Sequence, residues 1–152
     1  MRSTIVLFFL TIYLFGCPCD TVGPAYFVVG EFGDVVHGDS YVIRLDDPTD
    51  IAHARELIRD PEGVAARILV CSIAPGPGDL PNQDFLNGGE PWSWHVTEFQ
   101  GFAEFTIEIL DGWPSFVEED IEGWIANTNG TIGFWNYTVI MEVSLEEIST
   151  TP

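Results

Sequence analysis

The sequence contains no lysine, so five arginines face 24 aspartates and glutamates. A formal charge of −19 argues against recognition of nucleic acid, because phosphate backbones are held by clustered Lys and Arg. It argues equally against adsorption to anionic lipid through a basic face. Cysteine is scarce too. Cys17, Cys19 and Cys71 cannot make a disulfide framework, and Cys71, in an apolar run, reads as a small buried hydrophobe. Catalytic motifs are missing as well. There is no Gly-x-Ser-x-Gly elbow, no HExxH pair among His37, His53 and His95, no P-loop and no dinucleotide fingerprint in the chain.

What is present is enough for one folded domain. The chain has 152 residues, 46% hydrophobic and 13% aromatic, which suits a single core and not a disordered segment. Arg2 precedes an apolar run over Ile5–Phe15 broken by Thr11. That run is too short to span a bilayer comfortably, so residues 1–16 read as a signal peptide. Leu14-Phe-Gly-Cys17 resembles a bacterial lipobox, which makes Cys17 the candidate lipidation site. The protein is therefore expected to be exported, either secreted or held to a membrane only through a lipid anchor at Cys17. Residues 17–24 read as a tether, 25–146 as the domain and 147–152 as a flexible tail.

Within the domain, Tyr26–Phe32 and Ser40–Leu45 read as strands, the second with Tyr41, Ile43 and Leu45 on one face. Asp47 and Pro48 start a helix whose buried side carries Ile51, Ala54, Leu57 and Ile58. Pro61 ends it. Ala66–Ala74 lacks alternation, as a central strand does. Residues 75–91, rich in Pro, Gly, Asn and Asp, form a long loop of a kind that is often functional.

Trp92–Leu110 alternates around Gln100-Gly101 and is expected to fold as a β-hairpin with Trp92, Trp94, Val96, Phe105 and Ile107 on its apolar face. Ser115 and Glu118 have capping-box spacing ahead of a second helix with Val117, Ile121, Trp124 and Ile125 buried. Thr131–Val143 reads as one last strand with Trp135, Tyr137, Val139, Met141 and Val143 together. The expected fold is α+β, in the order β-β-α-β-β-β-α-β, with a mainly antiparallel sheet and two helices on one face.

Three groups of side chains could carry chemistry. His95, on the polar face of the expected hairpin, has Glu104 and Glu108 across from it, a set that could bind a metal or exchange protons; a solvated histidine on a wet face accounts for it equally. Asp79, Asn82 and Asp84 supply oxygens of the kind Ca²⁺ takes, without EF-hand order, and turn formation explains the same residues. Trp92 and Trp113 flank the hairpin as candidate ligand-binding aromatics, although tryptophan in a small domain more often serves the core.

Four separated stretches also carry a resemblance: Ile51-Ala-His-Ala-Arg-Glu-Leu57, Trp92-Ser-Trp-His-Val-Thr-Glu-Phe99, Asp111-Gly-Trp-Pro-Ser-Phe-Val-Glu118 and Ile132-Gly-Phe-Trp-Asn-Tyr137. They resemble a family of small secreted domains named for the N-terminal region of a slime-mould protein of seventy-four kilodaltons. The resemblance runs over nearly the whole domain and implies a stand-alone extracellular fold, with no mechanism attached. The expected function is a non-catalytic extracytoplasmic binding or interaction domain for an unknown ligand or protein, with no cofactor. The alternatives are a small metal-dependent or hydrolytic enzyme centred on His95, and a protease-inhibitor-like module that presents loop 75–91.

Overall fold

A computed structural model of the protein describes residues 23–106 and 111–150. The signal segment, Cys17, most of the tether, and residues 107–110 with Glu108 lie outside the described residues. The first two strands form as their alternation requires. β1 (Ala25–Glu31) pairs antiparallel with β2 (Ser40–Leu45), and Phe27, Val29, Tyr41, Ile43 and Leu45 all point into the main core. Helix α1 (Pro48–Arg59) starts where Asp47 accepts the Thr49 N–H at 2.7 Å and buries Ile51, Ala54 and Leu57. β3 (Ile68–Pro75) is the central strand of its sheet, between β4 (Trp94–Ala103) and β5 (Thr131–Ile132). The other sheet has the order β2-β1-β6, with β6 spanning Tyr137–Val143. All described pairings are antiparallel, so the class is α+β as expected. The antiparallel strands fall into two sheets of three.

The hairpin is the main correction. β4 runs straight through Gln100-Gly101, and its partner is β3, with Trp94 opposite Pro75, Val96 opposite Ile73 and Gly101 opposite Val70. Gly101 does adopt a positive φ of 148°, but it serves a bulge, because the register jumps between Val70 and Cys71 as Gln100 is left unpaired. A bulge and a tight turn draw on the same glycine freedom, and spacing alone does not separate them. Phe105, expected on the apolar face, is 72% exposed, whereas Trp94 is fully buried.

Two further elements divide. The second helix is two, α2 (Pro114–Glu119) and α3 (Ile121–Thr128), because Asp120 leaves helical geometry and caps α3 by accepting the Gly123 N–H. The last strand is also two: β5 joins one sheet and β6 the other, with a turn between them that leaves Trp135 44% exposed. A register shift at Ile140 sends Tyr137 and Val139 into the main core and Met141 and Val143 to a smaller cluster on the outer face. Residues 147–150, expected to fray, belong to α4 (Leu145–Thr150), which docks through the buried Ile148 and begins with a capping box between Ser144 and Glu147. The element order is thus β-β-α-β-β-α-α-β-β-α.

Candidate functional site

The two sheets do not close on each other everywhere. Strands β2 and β4 are outer strands of their respective sheets, and they border a cleft of about 860 Å³. Loop 76–93 crosses one end of it. There the Asn82 side chain, 5% exposed, accepts the Val42 N–H at 3.0 Å and donates to the Trp94 carbonyl at 3.2 Å. One amide side chain therefore bridges the two strand edges. The loop is fixed further by Asp84, which accepts the Ser40 hydroxyl at 2.9 Å and the Asn87 amide at 2.7 Å, and by the Trp92 indole, which donates to the Ser40 carbonyl at 2.9 Å.

The unbridged part of the cleft is acidic. Asp46, Asp47, Asp50, Asp79 and Glu98 line it, with Arg44 the one arginine in its wall. Arg44 is already committed to Asp46, through contacts of 3.0 and 2.6 Å. Hydrogen bonds to that carboxylate raise the guanidinium pKa further. Asp47 is held below the ordinary carboxylate value by the Thr49 amide it caps. Asp50 is raised, first by partial burial and then by the neighbouring Asp47 charge. Apolar side chains, among them Val42, Leu80 and Phe99, line the same cavity.

His95 sits in this wall, half-buried, with Nδ1 2.8 Å from the Gly76 carbonyl. Its ring abuts Gly78, where a Cβ would come within 2.6 Å of the imidazole, so the histidine supports the loop crossing. The carboxylates expected beside it are elsewhere. Glu104 follows the far end of β4, nine residues along an extended strand, and a rise of about 3.3 Å per residue puts it roughly 25–30 Å away. Glu108 lies outside the described residues. The His95–Glu104 pairing depended on the hairpin and goes with it. Asp79 does line the cleft, but Asn82 and Asp84 spend their side-chain oxygens on the protein's own donors, so the three do not converge as ligands of one cation. Among the described residues no group of three or more His, Cys, Asp or Glu side chains could hold a metal ion.

The tryptophans have separate places. Trp92 is half-buried and stacks near Trp94, ring centroids 6.2 Å apart. Trp113 stacks on His37 at 3.8 Å with the planes 9° apart. That second pair belongs to a braced end of the molecule. Glu31 accepts the N–H groups of Val36, His37 and Gly38 at 2.7–2.9 Å, while Asp39 accepts the Ser115 N–H at 2.8 Å and the Tyr137 hydroxyl. Burial and the Asp39 hydrogen bond push the Tyr137 hydroxyl far above its ordinary value. Cys71 is a free, fully buried thiol whose pKa is pushed up to about 12 by burial, which excludes it as a nucleophile at neutral pH.

The arrangement offers a binding surface and no assembled pair of nucleophile and base among these residues. Sequence reasoning found His95 and Asp79 but missed the strand edges at Arg44, Val96 and Glu98. No local pattern marks them, since a strand's place in its sheet is decided by residues far away in the chain.

An α+β domain with two three-stranded antiparallel sheets and a cleft between outer strands is the class these features define. Residues 23–146 match the family model for the N-terminal domain of the seventy-four-kilodalton slime-mould protein, and the chain belongs to that family. Searches of curated proteins and of solved structures found no match.

Proposed function

We propose that the protein is an exported, non-catalytic binding domain that takes its ligand in the acidic cleft between β2 and β4. The observation that carries this reading is the cleft itself. It measures about 860 Å³, within the size range of ligand sites, and it mixes an apolar lining with more carboxylates than its one arginine can match. The isolation of His95 from Glu104 favours binding over acid–base chemistry, which needs the base held by a partner. Export rests on the apolar segment at 5–15, and lipid anchoring on Cys17; both are proposals from sequence.

A ligand panel of peptides, oligosaccharides and divalent cations, read by calorimetry on the wild type and on Thr97→Trp, tests the site. Thr97 is exposed and faces the cleft, so the indole should fill the space and abolish binding without lowering the melting temperature. A ligand bound equally by both proteins would remove the cleft from the account. A stoichiometric metal found by mass spectrometry and lost in His95→Ala would restore the enzyme reading. Labelling with a palmitate analogue tests Cys17, where label retained in Cys17→Ala would sink the lipoprotein assignment.

A further inference from the structure

Deepening the reading of the cleft as a ligand site, we infer that its ligand is an extended, cationic peptide segment that adds as a strand between β2 and β4. The inference starts from which backbone groups point into the gap. In an antiparallel ladder, alternate residues direct both N–H and C=O away from the paired neighbour. The Val42 N–H points away from β1, because it donates to Asn82. Arg44, two residues on and paired with Tyr26 in the same unbroken register, therefore turns its N–H and C=O the same way. On the opposite wall the Trp94 carbonyl points away from β3, because it accepts from Asn82. Val96 shares that phase, since its partner Ile73 sends its own N–H to Gly130 on the far side. Arg44 and Val96 thus turn both main-chain groups toward the gap.

The protein itself shows how such a gap is filled. The Asn82 amide, with an oxygen accepting from one edge and a nitrogen donating to the other, stands where a peptide group of an intervening strand would stand. Its two hydrogen bonds, 3.0 and 3.2 Å long, hold the edges about one strand apart at that point, for neighbouring strands lie ~4.8 Å from each other. Asn82 fills one position and the cleft continues beyond it. An exposed strand edge is a template for another chain, and strand addition takes its affinity from main-chain bonds and its selectivity from alternate side chains.

The cleft's charge decides which peptide. Asp46, Asp50, Asp79 and Glu98 line it while Arg44 is occupied by Asp46, within a protein of net charge −19. Lysine or arginine at alternate positions of the ligand meets these carboxylates, and like charge repels acidic peptides. Val42, Leu80 and Phe99 suit apolar side chains at the positions between.

The test is isothermal calorimetry at physiological salt with three synthetic octapeptides: alternating Lys and Val, alternating Glu and Val, and the Lys–Val peptide N-methylated at every second residue. The Lys–Val peptide should bind at least tenfold more tightly than the Glu–Val peptide, and Thr97→Trp should lose it. N-methylation keeps the charge and removes main-chain donors, so it should cost at least tenfold again. Equal binding of the methylated peptide, which would mean attraction by charge alone, overturns the inference. So does no binding of the Lys–Val peptide. In either case the cleft as a site is judged separately, by whether any other ligand of the panel is lost in Thr97→Trp.

Discussion

Asn82 shows how much one side chain can decide. From sequence it reads as a turn former or an oxygen ligand, because both roles favour asparagine in a Pro- and Gly-rich loop. Its actual role needs a donor and an acceptor 40 and 12 residues away, a pairing that no local pattern encodes. The same holds for Glu31, whose carboxylate gathers three amides five to seven residues on. Asp47 was legible, by contrast, because a helix cap is a contact across two residues. Replacing Asn82 with Ala leaves a backbone donor and acceptor without their partner and should cost about 1–3 kcal/mol. Asn82→Asp keeps the bond from Val42 but sets a carboxylate oxygen against the Trp94 carbonyl. Its deficit at pH 7 should therefore shrink as pH falls and the acid protonates. Urea unfolding at neutral and acidic pH checks both, and an Asn82→Asp protein as stable as wild type at pH 7 would contradict the bridging role.

At the scale of elements, strands and the first helix could be read wherever alternation or periodicity was long and uninterrupted. β1, β2, α1 and β3 stand close to where apolar spacing puts them. The reading failed where one residue changes phase. Gly101 supports a bulge in place of a turn, Asp120 splits a helix, and the shift at Ile140 moves Met141 and Val143 to the other face. Each break is a local event whose meaning depends on which strand lies alongside. Gly101→Ala isolates one of them. No atom lies within 4 Å of where the new Cβ would sit, so the cost is that of a positive φ alone, about 1–3 kcal/mol. Chemical denaturation should show that loss with an unchanged far-ultraviolet spectrum. Full stability would mean that the strand does not need the bulge.

For the whole molecule, acidity and compactness were evident from composition, and the cleft was not. Its walls come from segments fifty residues apart, and it exists because two sheets of three meet imperfectly along the β2 and β4 edges. Elsewhere the parts are tied. Arg55 on α1 and Glu142 on β6 form two contacts of 2.8 and 2.6 Å, and the hydrogen bonds from Arg55 hold the Glu142 carboxyl below its ordinary value of 4.5. A depressed carboxylate stabilises the fold above that ordinary value, and the benefit is lost as pH falls through the folded one. Both side chains are more than a third exposed, so Glu142→Gln should cost under about 1 kcal/mol at pH 7. The gap to wild type should close in acid, which thermal melts across pH 7 to 3 would reveal.

The central claim is that ligand enters between the β2 and β4 edges. Amide chemical-shift mapping of the isotope-labelled protein during titration with the Lys–Val octapeptide tests it most directly. The account predicts that the largest shifts fall at Arg44, Val96 and Glu98, and that the Arg44 and Val96 amides become protected from solvent exchange. Shifts confined to the braced end around Val36, His37 and Trp113, with the two strand edges unmoved, would contradict it.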